Sequence, residues 1–139
     1  MQIKQYKGDY DKTEFYSLMG KYFAEKQYQK EMPYLVNRKT NVWFLAFESK
    51  TLVAFAAINE LKNKIVLEHS FAESEYRHKG IWKKLNEVRL KYAAEVKQDV
   101  EVITKEDHLK KYWLGIGFSE YKKSGSYCYL RRDKKDARN

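Results

Sequence analysis

The segment Tyr76-Arg77-His78-Lys79-Gly80-Ile81-Trp82 joins a stretch typical of a β-strand to one typical of an amphipathic helix. At such a junction the first helical turn exposes backbone N–H groups at the positive end of the helix dipole, where anions bind. Gly80 permits the backbone angles and the close approach that a phosphate requires. Basic side chains are unfavourable beside the positive end of a helix dipole. A bound anion would explain why Lys79, Lys83 and Lys84 nevertheless stand there. A purely structural turn also fits this fragment.

The residues before the segment predict three strands. Val42–Phe47, Leu52–Ile58 and Ile65–Phe71 are runs of strand-forming residues separated by short polar turns. Strands at such short spacing are typical of an antiparallel meander.

The chain upstream of the meander predicts a strand and a long helix. Gln2–Tyr6 is the strand, and Asp11 with Glu14 three residues later forms a capping-box pattern. Apolar residues from Phe15 to Phe23 recur with helical spacing. The helix is expected to continue until Pro33 breaks it near residues 31–34.

The chain after the segment completes an α/β (α+β) layered domain with a mixed sheet. A helix from Ile81 carries apolar residues at a spacing of three or four, with charged residues on its other face, and leads to the strand Val100–Ile103. A further helix is predicted over Glu106–Leu114, and the hairpin 118–130 follows it. We expect a single domain over residues 1–133 and a frayed basic tail over residues 134–139.

Composition excludes several classes of protein. The chain has 139 residues, of which 43% are hydrophobic, so it can bury a core and wholesale disorder is excluded. It has no apolar stretch of roughly 20 residues to span a membrane and no signal-peptide core, so we expect no membrane partner. A single cysteine, Cys128, excludes an intrachain disulfide and a multi-cysteine metal site, and we expect no metal. These features predict a cytoplasmic protein.

The positive charge is concentrated in the second half of the chain. The net charge is +9, of which residues 1–76 contribute +1 and residues 77–139 contribute +8. This excess indicates either a polyanionic partner or a solvated surface that keeps the protein soluble.

A second motif lies where the last predicted helix ends in Gly-Phe before the final hairpin: Tyr112-Trp113-Leu114-Gly115-Ile116-Gly117-Phe118. With this motif, the loop at residues 77–82 and the order of elements, residues 2–131 resemble the GNAT superfamily of acetyl-CoA-dependent N-acetyltransferases. The resemblance implies a GNAT-like fold, with a mixed, mostly antiparallel central sheet of 6–7 strands and about four helices. It also implies that coenzyme A binds at a splay between two strands.

The resemblance also implies the roles of individual residues. The cofactor-binding residues would be Phe71, Ala72, Arg77, His78, Lys79, Gly80, Ile81 and Trp82. Glu68, in the strand before the loop, would be the general base that deprotonates the acceptor amine, and a backbone N–H near Ala72 would polarise the thioester carbonyl.

Three positions depart from the family pattern. Trp82 stands where Gly or Ala is commonest, and Glu106 stands where Asn is common. Trp113 occupies the position of the tyrosine that often acts as general acid, and an indole has no useful acidity. The adjacent Tyr112 is then the candidate acid, although on a helix it points about 100° away.

The implied function is transfer of an acetyl group from acetyl-CoA to a primary amine of a small molecule, peptide or protein lysine. The alternatives are a catalytically silent domain that binds coenzyme A or a protein and, with less support, a basic nucleic-acid-binding module with aromatic residues. In this fold, residues 28–41 and 119–127 would line the acceptor cleft, and their basic residues suit an amine that also carries a carboxylate or phosphate. The chain is expected to be a monomer or a homodimer.

Overall fold

A computed structural model of the chain describes residues 1–136 and contains strands and helices in an order close to the predicted one. The elements are β1 Gln2–Tyr6, α1 Lys12–Ala24, α2 Lys26–Glu31, β2 Asn41–Glu48, β3 Thr51–Glu60, β4 Lys64–Ala72, α3 Ile81–Glu95, β5 Asp99–Lys105, α4 His108–Gly115, β6 Ser119–Ser124 and β7 Tyr127–Arg132. Short 3-10 turns occupy Ser74–Tyr76 and Lys134–Asp136.

The seven strands form one sheet in the order β1-β2-β3-β4-β5-β7-β6. β1 pairs antiparallel with β2, and β7 pairs antiparallel with both β5 and β6. β4 and β5 pair in parallel, as the crossover helix α3 between them requires. This parallel pairing joins Lys64–Val66 to Asp99–Glu101, whereas β4 continues to Ala72 and β5 to Lys105. The predicted fold class, with its mixed and mostly antiparallel sheet, is confirmed.

The backbone divides into two compact units. The first consists of Met1–Ala57 and His69–Leu85, and the second of Ile58–Glu68 with the described chain from Asn86 onward. The basic tail that the sequence predicts begins in the second unit, where the backbone N–H of Lys134 donates to Asp99 Oδ1 at 2.8 Å. The last three residues of that tail, 137–139, lie outside the described part of the chain. None of the helices within residues 1–136 is both long and apolar enough to cross a membrane.

The long first helix that the sequence predicts is instead two helices. Asp11 caps α1 by accepting from the N–H of Glu14, as the capping-box pattern indicates. At Glu25 the backbone becomes extended (φ −85°, ψ 136°) and α2 begins. In an unbroken helix Tyr22 and Tyr28 would point about 120° apart. The break instead brings their ring centroids to 4.6 Å.

Aromatic side chains of α1, β2 and β3 form the core of the first unit. Phe15, Tyr22, Trp43 and Phe55 are at most 1% exposed, and their rings meet edge-on or tilted. Such contacts stabilise a core beyond the area that they bury. Phe15 and Tyr22 are therefore not surface platforms for stacking nucleic-acid bases.

The second unit buries two polar side chains of α3. The sequence places Asn86 and Arg89 outside the apolar stripe of this helix, yet they are 0% and 3% exposed. Leu90 and Ala93 of the same helix are buried as well. Buried polar groups need hydrogen-bond partners, and periodicity alone does not reveal partners that other elements supply.

The core of the first unit predicts a large effect of one aromatic truncation. Phe15→Ala is expected to lower the free energy of unfolding by about 3–5 kcal/mol, because it leaves a cavity at a fully buried position. Tyr34→Ala, at a side chain that is 84% exposed, should change it by about 0.5 kcal/mol or less. Urea unfolding monitored by circular dichroism measures both. Equal stabilities of the two variants would contradict this description of the core.

Candidate functional site

The loop between β4 and α3 contains two residues with left-handed backbone. After the 3-10 turn, His78 has φ 62° and Gly80 has φ 80°, and α3 begins at Ile81. At Gly80 a Cβ atom would meet no other atom within 4 Å, so the requirement for glycine comes from the backbone angle and not from crowding. His78 adopts a conformation that is uncommon for a residue with a side chain, and such outliers gather at functional sites.

This loop presents a row of backbone donors. Within residues 1–136, no group accepts a hydrogen bond from the N–H of His78, Lys79, Gly80 or Ile81. The carbonyl of Gly80 accepts from the N–H of Lys84 at 3.1 Å, which starts the hydrogen bonding of α3. Consecutive N–H groups at the N-terminus of a 15-residue helix form a concave anion site.

The Arg77 side chain fixes the start of the loop. Its Nε donates to the carbonyl of Ala72 at 2.7 Å, and its Nη2 lies 2.6 Å from Glu31 Oε2 at the end of α2. Its guanidinium carbon lies 5.3 Å from the ring centroid of Phe71. Arg77 therefore ties the loop to β4 and to α2, and its guanidinium is already engaged within the first unit.

Trp82, the large residue at a position where the family pattern has a small one, faces β4. Its indole N–H donates to Ser70 Oγ at 3.1 Å. The side chain thus has a defined place on the strand.

A groove of about 520 Å³ lies beside the loop in the first unit. Lys79, Gly80 and Lys84 contribute to its lining, together with Glu48 at the end of β2. Lys79 Nζ also lies 5.6 Å from the ring centroid of Tyr76. Two lysines and the backbone donors give this groove a positive wall that suits phosphate groups.

In the second unit, Glu68 and Tyr112 are attached to one buried polar network. Arg89 Nη1 donates to the carbonyl of Glu68 at 2.7 Å, and its Nη2 lies 3.2 Å from Asn86 Oδ1. An arginine side chain only donates, so the oxygen of the Asn86 amide must face it. The Asn86 nitrogen then donates to the Tyr112 hydroxyl at 2.9 Å. The phenol oxygen of Tyr112 thus accepts this hydrogen bond.

Burial lowers the pKa of Arg89 to about 10, so the side chain is still charged at neutral pH. A buried charge requires hydrogen bonds, and the Glu68 carbonyl and Asn86 supply two of them. The network therefore holds the backbone of Glu68 against α3.

Trp113 is a core residue of the second unit. It is 3% exposed and packs against Tyr112 and Phe118, with ring centroids at 5.2 and 5.1 Å. In the first unit Phe71 is likewise buried, beside Tyr22 at 5.5 Å.

Glu106 belongs to a cluster that the sequence did not reveal. Lys110 Nζ lies 2.7 Å from Glu106 and 2.9 Å from Glu120, and Cys128 Sγ donates to Glu106 at 3.2 Å. The two carboxylates and the thiol lie close enough to hold a metal ion, but the Lys110 ammonium already bridges the carboxylates. Hydrogen bonds from Lys110 and Cys128 lower the pKa of Glu106 to about 2. Burial and these carboxylates raise the pKa of Cys128, so the thiol stays protonated and is a poor nucleophile.

Sequence reasoning also missed Glu73, the residue that follows β4. The hydroxyls of Tyr22 and Tyr28 both donate to its carboxylate. The only sequence signal for this cluster is the high tyrosine content of the chain, which does not say where the hydroxyls meet a carboxylate.

Comparisons with known proteins agree with the fold. The model of the acetyltransferase (GNAT) family matches residues 12–118. The solved structure of Escherichia coli ElaA has a TM-score of 0.73 at 16% identity, covering 95% of this chain and 99% of that one. An acyl-CoA N-acyltransferase from Pseudomonas aeruginosa has a TM-score of 0.73 at 18% identity, with 94% and 98% covered.

A third similar structure was solved with a ligand. The PaiA N-acetyltransferase from Thermoplasma acidophilum, in complex with coenzyme A, has a TM-score of 0.62 at 18% identity, covering 96% of this chain and 99% of that one. Because the identities are only 16–18%, the similarity to the three structures shows a shared fold and nothing more. No curated protein matches the sequence of this chain.

The Glu106 cluster predicts a pH-dependent contribution to stability. The pKa of Glu106 in the folded protein is about 2, below the ordinary value of 4.5. The contribution of this carboxylate to the stability of the fold is therefore complete above pH 4.5 and disappears as the pH falls towards 2. The melting temperature of Glu106→Gln should therefore lie below that of the wild type at pH 6, and the difference should shrink between pH 4.5 and pH 2. Glu87→Gln, at an exposed position of α3, is the matched control. A difference that is constant over this pH range would contradict the assignment.

Proposed function

The chain belongs to the acetyltransferase (GNAT) family, and on that premise we propose that it transfers an acetyl group from acetyl-CoA to a primary amine. The observation that carries the proposal is the row of N–H donors at residues 78–81, which have no acceptor within residues 1–136 and lie where two left-handed residues precede a long helix. These donors lie in the residues that match the family's loop motif.

We assign the pyrophosphate of coenzyme A to this loop. Backbone N–H groups bind phosphate oxygens whatever side chains the loop carries. The loop can therefore bind a pyrophosphate although Arg77 is held by Ala72 and Glu31. Lys79 and Lys84 add positive charge beside the loop, and they line the groove next to it. Trp82 fits the assignment because its indole is bonded to Ser70.

When bound, acetyl-CoA supplies an acetyl group that is activated as a thioester. In our proposal the carboxylate of Glu68 removes the proton from the acceptor ammonium, and the amine then attacks directly. Arg89 acts as a positioning residue for Glu68, because it holds the carbonyl of that residue. Tyr112 is the candidate donor of a proton to the leaving sulfur, with its oxygen fixed by Asn86.

A second candidate function is a domain that binds coenzyme A without transferring the acetyl group. The observation that favours it is Trp113, because a buried indole stands at the position where the family often has an acidic tyrosine. Release of free coenzyme A across a panel of primary amines separates the two functions. Binding of acetyl-CoA without release for any amine would favour the silent domain.

The loop assignment predicts a specific defect in Gly80→Ala. Without cofactor this variant relaxes to an ordinary φ, and binding must then restore the left-handed conformation at a cost of about 1–2 kcal/mol. We expect acetyl-CoA affinity to fall about tenfold, seen as a smaller rise in melting temperature at a fixed cofactor concentration.

Gly20→Ala is the matched control for that variant. Gly20 lies inside α1, where a Cβ atom meets nothing within 4 Å, so alanine there should leave cofactor binding unchanged. If millimolar acetyl-CoA does not raise the melting temperature of the wild type, the proposed function is wrong.

The base assignment predicts that Glu68→Gln lowers kcat by about 10²-fold or more, because the amide cannot accept the proton. Acetyl-CoA binding should be retained, which separates this effect from a loss of fold. Thiol release at a saturating amine concentration gives the rate, and an unchanged rate would remove Glu68 from the mechanism.

A further inference from the structure

Glu73 offers a carboxylate with spare hydrogen-bonding capacity in the first unit. The hydroxyl of Tyr22 donates to Oε2 at 3.0 Å, and that of Tyr28 lies 3.0 Å from Oε2 and 3.3 Å from Oε1. A carboxylate can accept about four hydrogen bonds, and each phenol has only one proton to donate. The carboxylate of Glu73 can therefore accept further hydrogen bonds, mainly at Oε1. The Glu73 side chain is 26% exposed, so a ligand can reach it.

The negative charge of this carboxylate is only weakly compensated. Within residues 1–136, the one cationic group within 4 Å of it is Lys21, whose Nζ lies 3.7 Å from Oε2. That distance is longer than a hydrogen bond, and Lys21 is 45% exposed, so water screens the pair. A cation that reaches Oε1 would gain a charge-assisted hydrogen bond.

The two tyrosines remain proton donors over the physiological pH range. Burial, followed by the charge of Glu73, raises the pKa of Tyr22, and burial with the hydrogen bond to Glu73 raises that of Tyr28. Both phenols therefore stay neutral and keep the carboxylate in place. The cluster thus holds one carboxylate by hydrogen bonds from two neutral phenols.

Aromatic residues lie beside the carboxylate, which two of them contact through their hydroxyls. Tyr28 is partly exposed, and its ring centroid lies 4.6 Å from that of Tyr22 and 5.7 Å from that of Phe71. The faces of aromatic rings attract cations, above all alkylammonium groups that are partly removed from water. Lys21 Nζ lies 5.1 Å from the ring centroid of Tyr22, and the guanidinium carbon of Arg77 lies 5.3 Å from that of Phe71. Cations of the chain itself thus already contact two of these rings, and such surroundings suit an ammonium ion and not an anion.

The cluster is connected to the cofactor loop by hydrogen bonds. The N–H of Glu73 donates to the carbonyl of Val53 at 2.9 Å, and the adjacent carbonyl of Ala72 accepts from Arg77 Nε at 2.7 Å. Arg77 begins the loop and also holds Glu31 of α2, the helix that carries Tyr28. The loop and the cluster are thus attached to the same end of β4.

We infer that Glu73, held by Tyr22 and Tyr28, binds an ammonium group of the acceptor, so that the acceptor class is cationic alkylamines. The inference rests on the proposed function, and it replaces an acceptor that carries a carboxylate or phosphate with one that is positively charged. Glu73 is then a specificity-determining residue: it binds the charged acceptor and takes no proton from it.

The test uses the cofactor-free protein and a simple probe. Titration with n-pentylamine hydrochloride at pH 7, followed by ¹H–¹⁵N NMR, should give saturable shifts at Glu73 and its neighbours. The uncharged analogue n-pentanol should not. Glu73→Gln keeps the size and shape of the side chain but removes its charge, and it should weaken pentylamine binding about tenfold or more. Glu75→Gln, at an exposed position two residues further on, should bind as the wild type does.

Lys21→Met gives a variant with the opposite expected effect. Removing the cation 3.7 Å from Glu73 should tighten pentylamine binding about two- to fivefold. Because Lys21 is 45% exposed, the substitution should leave the fold unchanged. Pentylamine binding that is equal in wild type, Glu73→Gln and Lys21→Met would overturn the inference, as would equal binding of pentylamine and pentanol.

Acetyl-CoA binding, measured on the same samples, separates this inference from the proposed function. If the wild type binds acetyl-CoA and Glu73→Gln binds both ligands like the wild type, the inference alone fails. If the wild type does not bind acetyl-CoA, the proposed function fails whatever the amine titration gives. Retained acetyl-CoA binding by Glu73→Gln also shows that the variant is folded.

Discussion

The left-handed backbone at His78 and Gly80 is the constraint on which the proposed site depends. It turns the chain from β4 into α3 and leaves the N–H groups of residues 78–81 without an acceptor in the described chain. Arg77 holds the start of this turn by joining Ala72 to Glu31. Contacts within the chain thereby join strand, loop and helix. Preorganised donors bind an anion at a lower entropic cost than flexible ones.

The positive charge of the second half of the chain has more than one role in the structure. Lys79 and Lys84 border the loop and its groove, and within residues 1–136 neither lysine forms an ion pair. Lys110, by contrast, forms ion pairs with two carboxylates, and the buried Arg89 donates hydrogen bonds to a carbonyl and to an amide oxygen. The net charge of +9 is therefore not a single binding surface. The part of it next to the loop is the part that suits a phosphate-bearing cofactor.

Local patterns in the sequence predict the strands, the cap at Asp11 and the loop before α3, because short-range geometry determines each of them. Features that depend on distant contacts are not predicted. The break at Glu25 brings Tyr28 next to Tyr22, and Glu73, which joins both hydroxyls, lies 51 residues beyond Tyr22. Asn86 and Arg89 look like surface residues of α3 until the carbonyl of Glu68 and the hydroxyl of Tyr112 are placed beside them.

The most direct test of the central claim is a ¹H–¹⁵N NMR titration of the protein with coenzyme A, in which each backbone amide is followed separately. If the loop donates its N–H groups to the pyrophosphate, the largest downfield shifts should fall on His78, Lys79, Gly80 and Ile81, and they should saturate together. Saturable shifts that leave these four amides unmoved, or no saturable shift at all, would contradict the account.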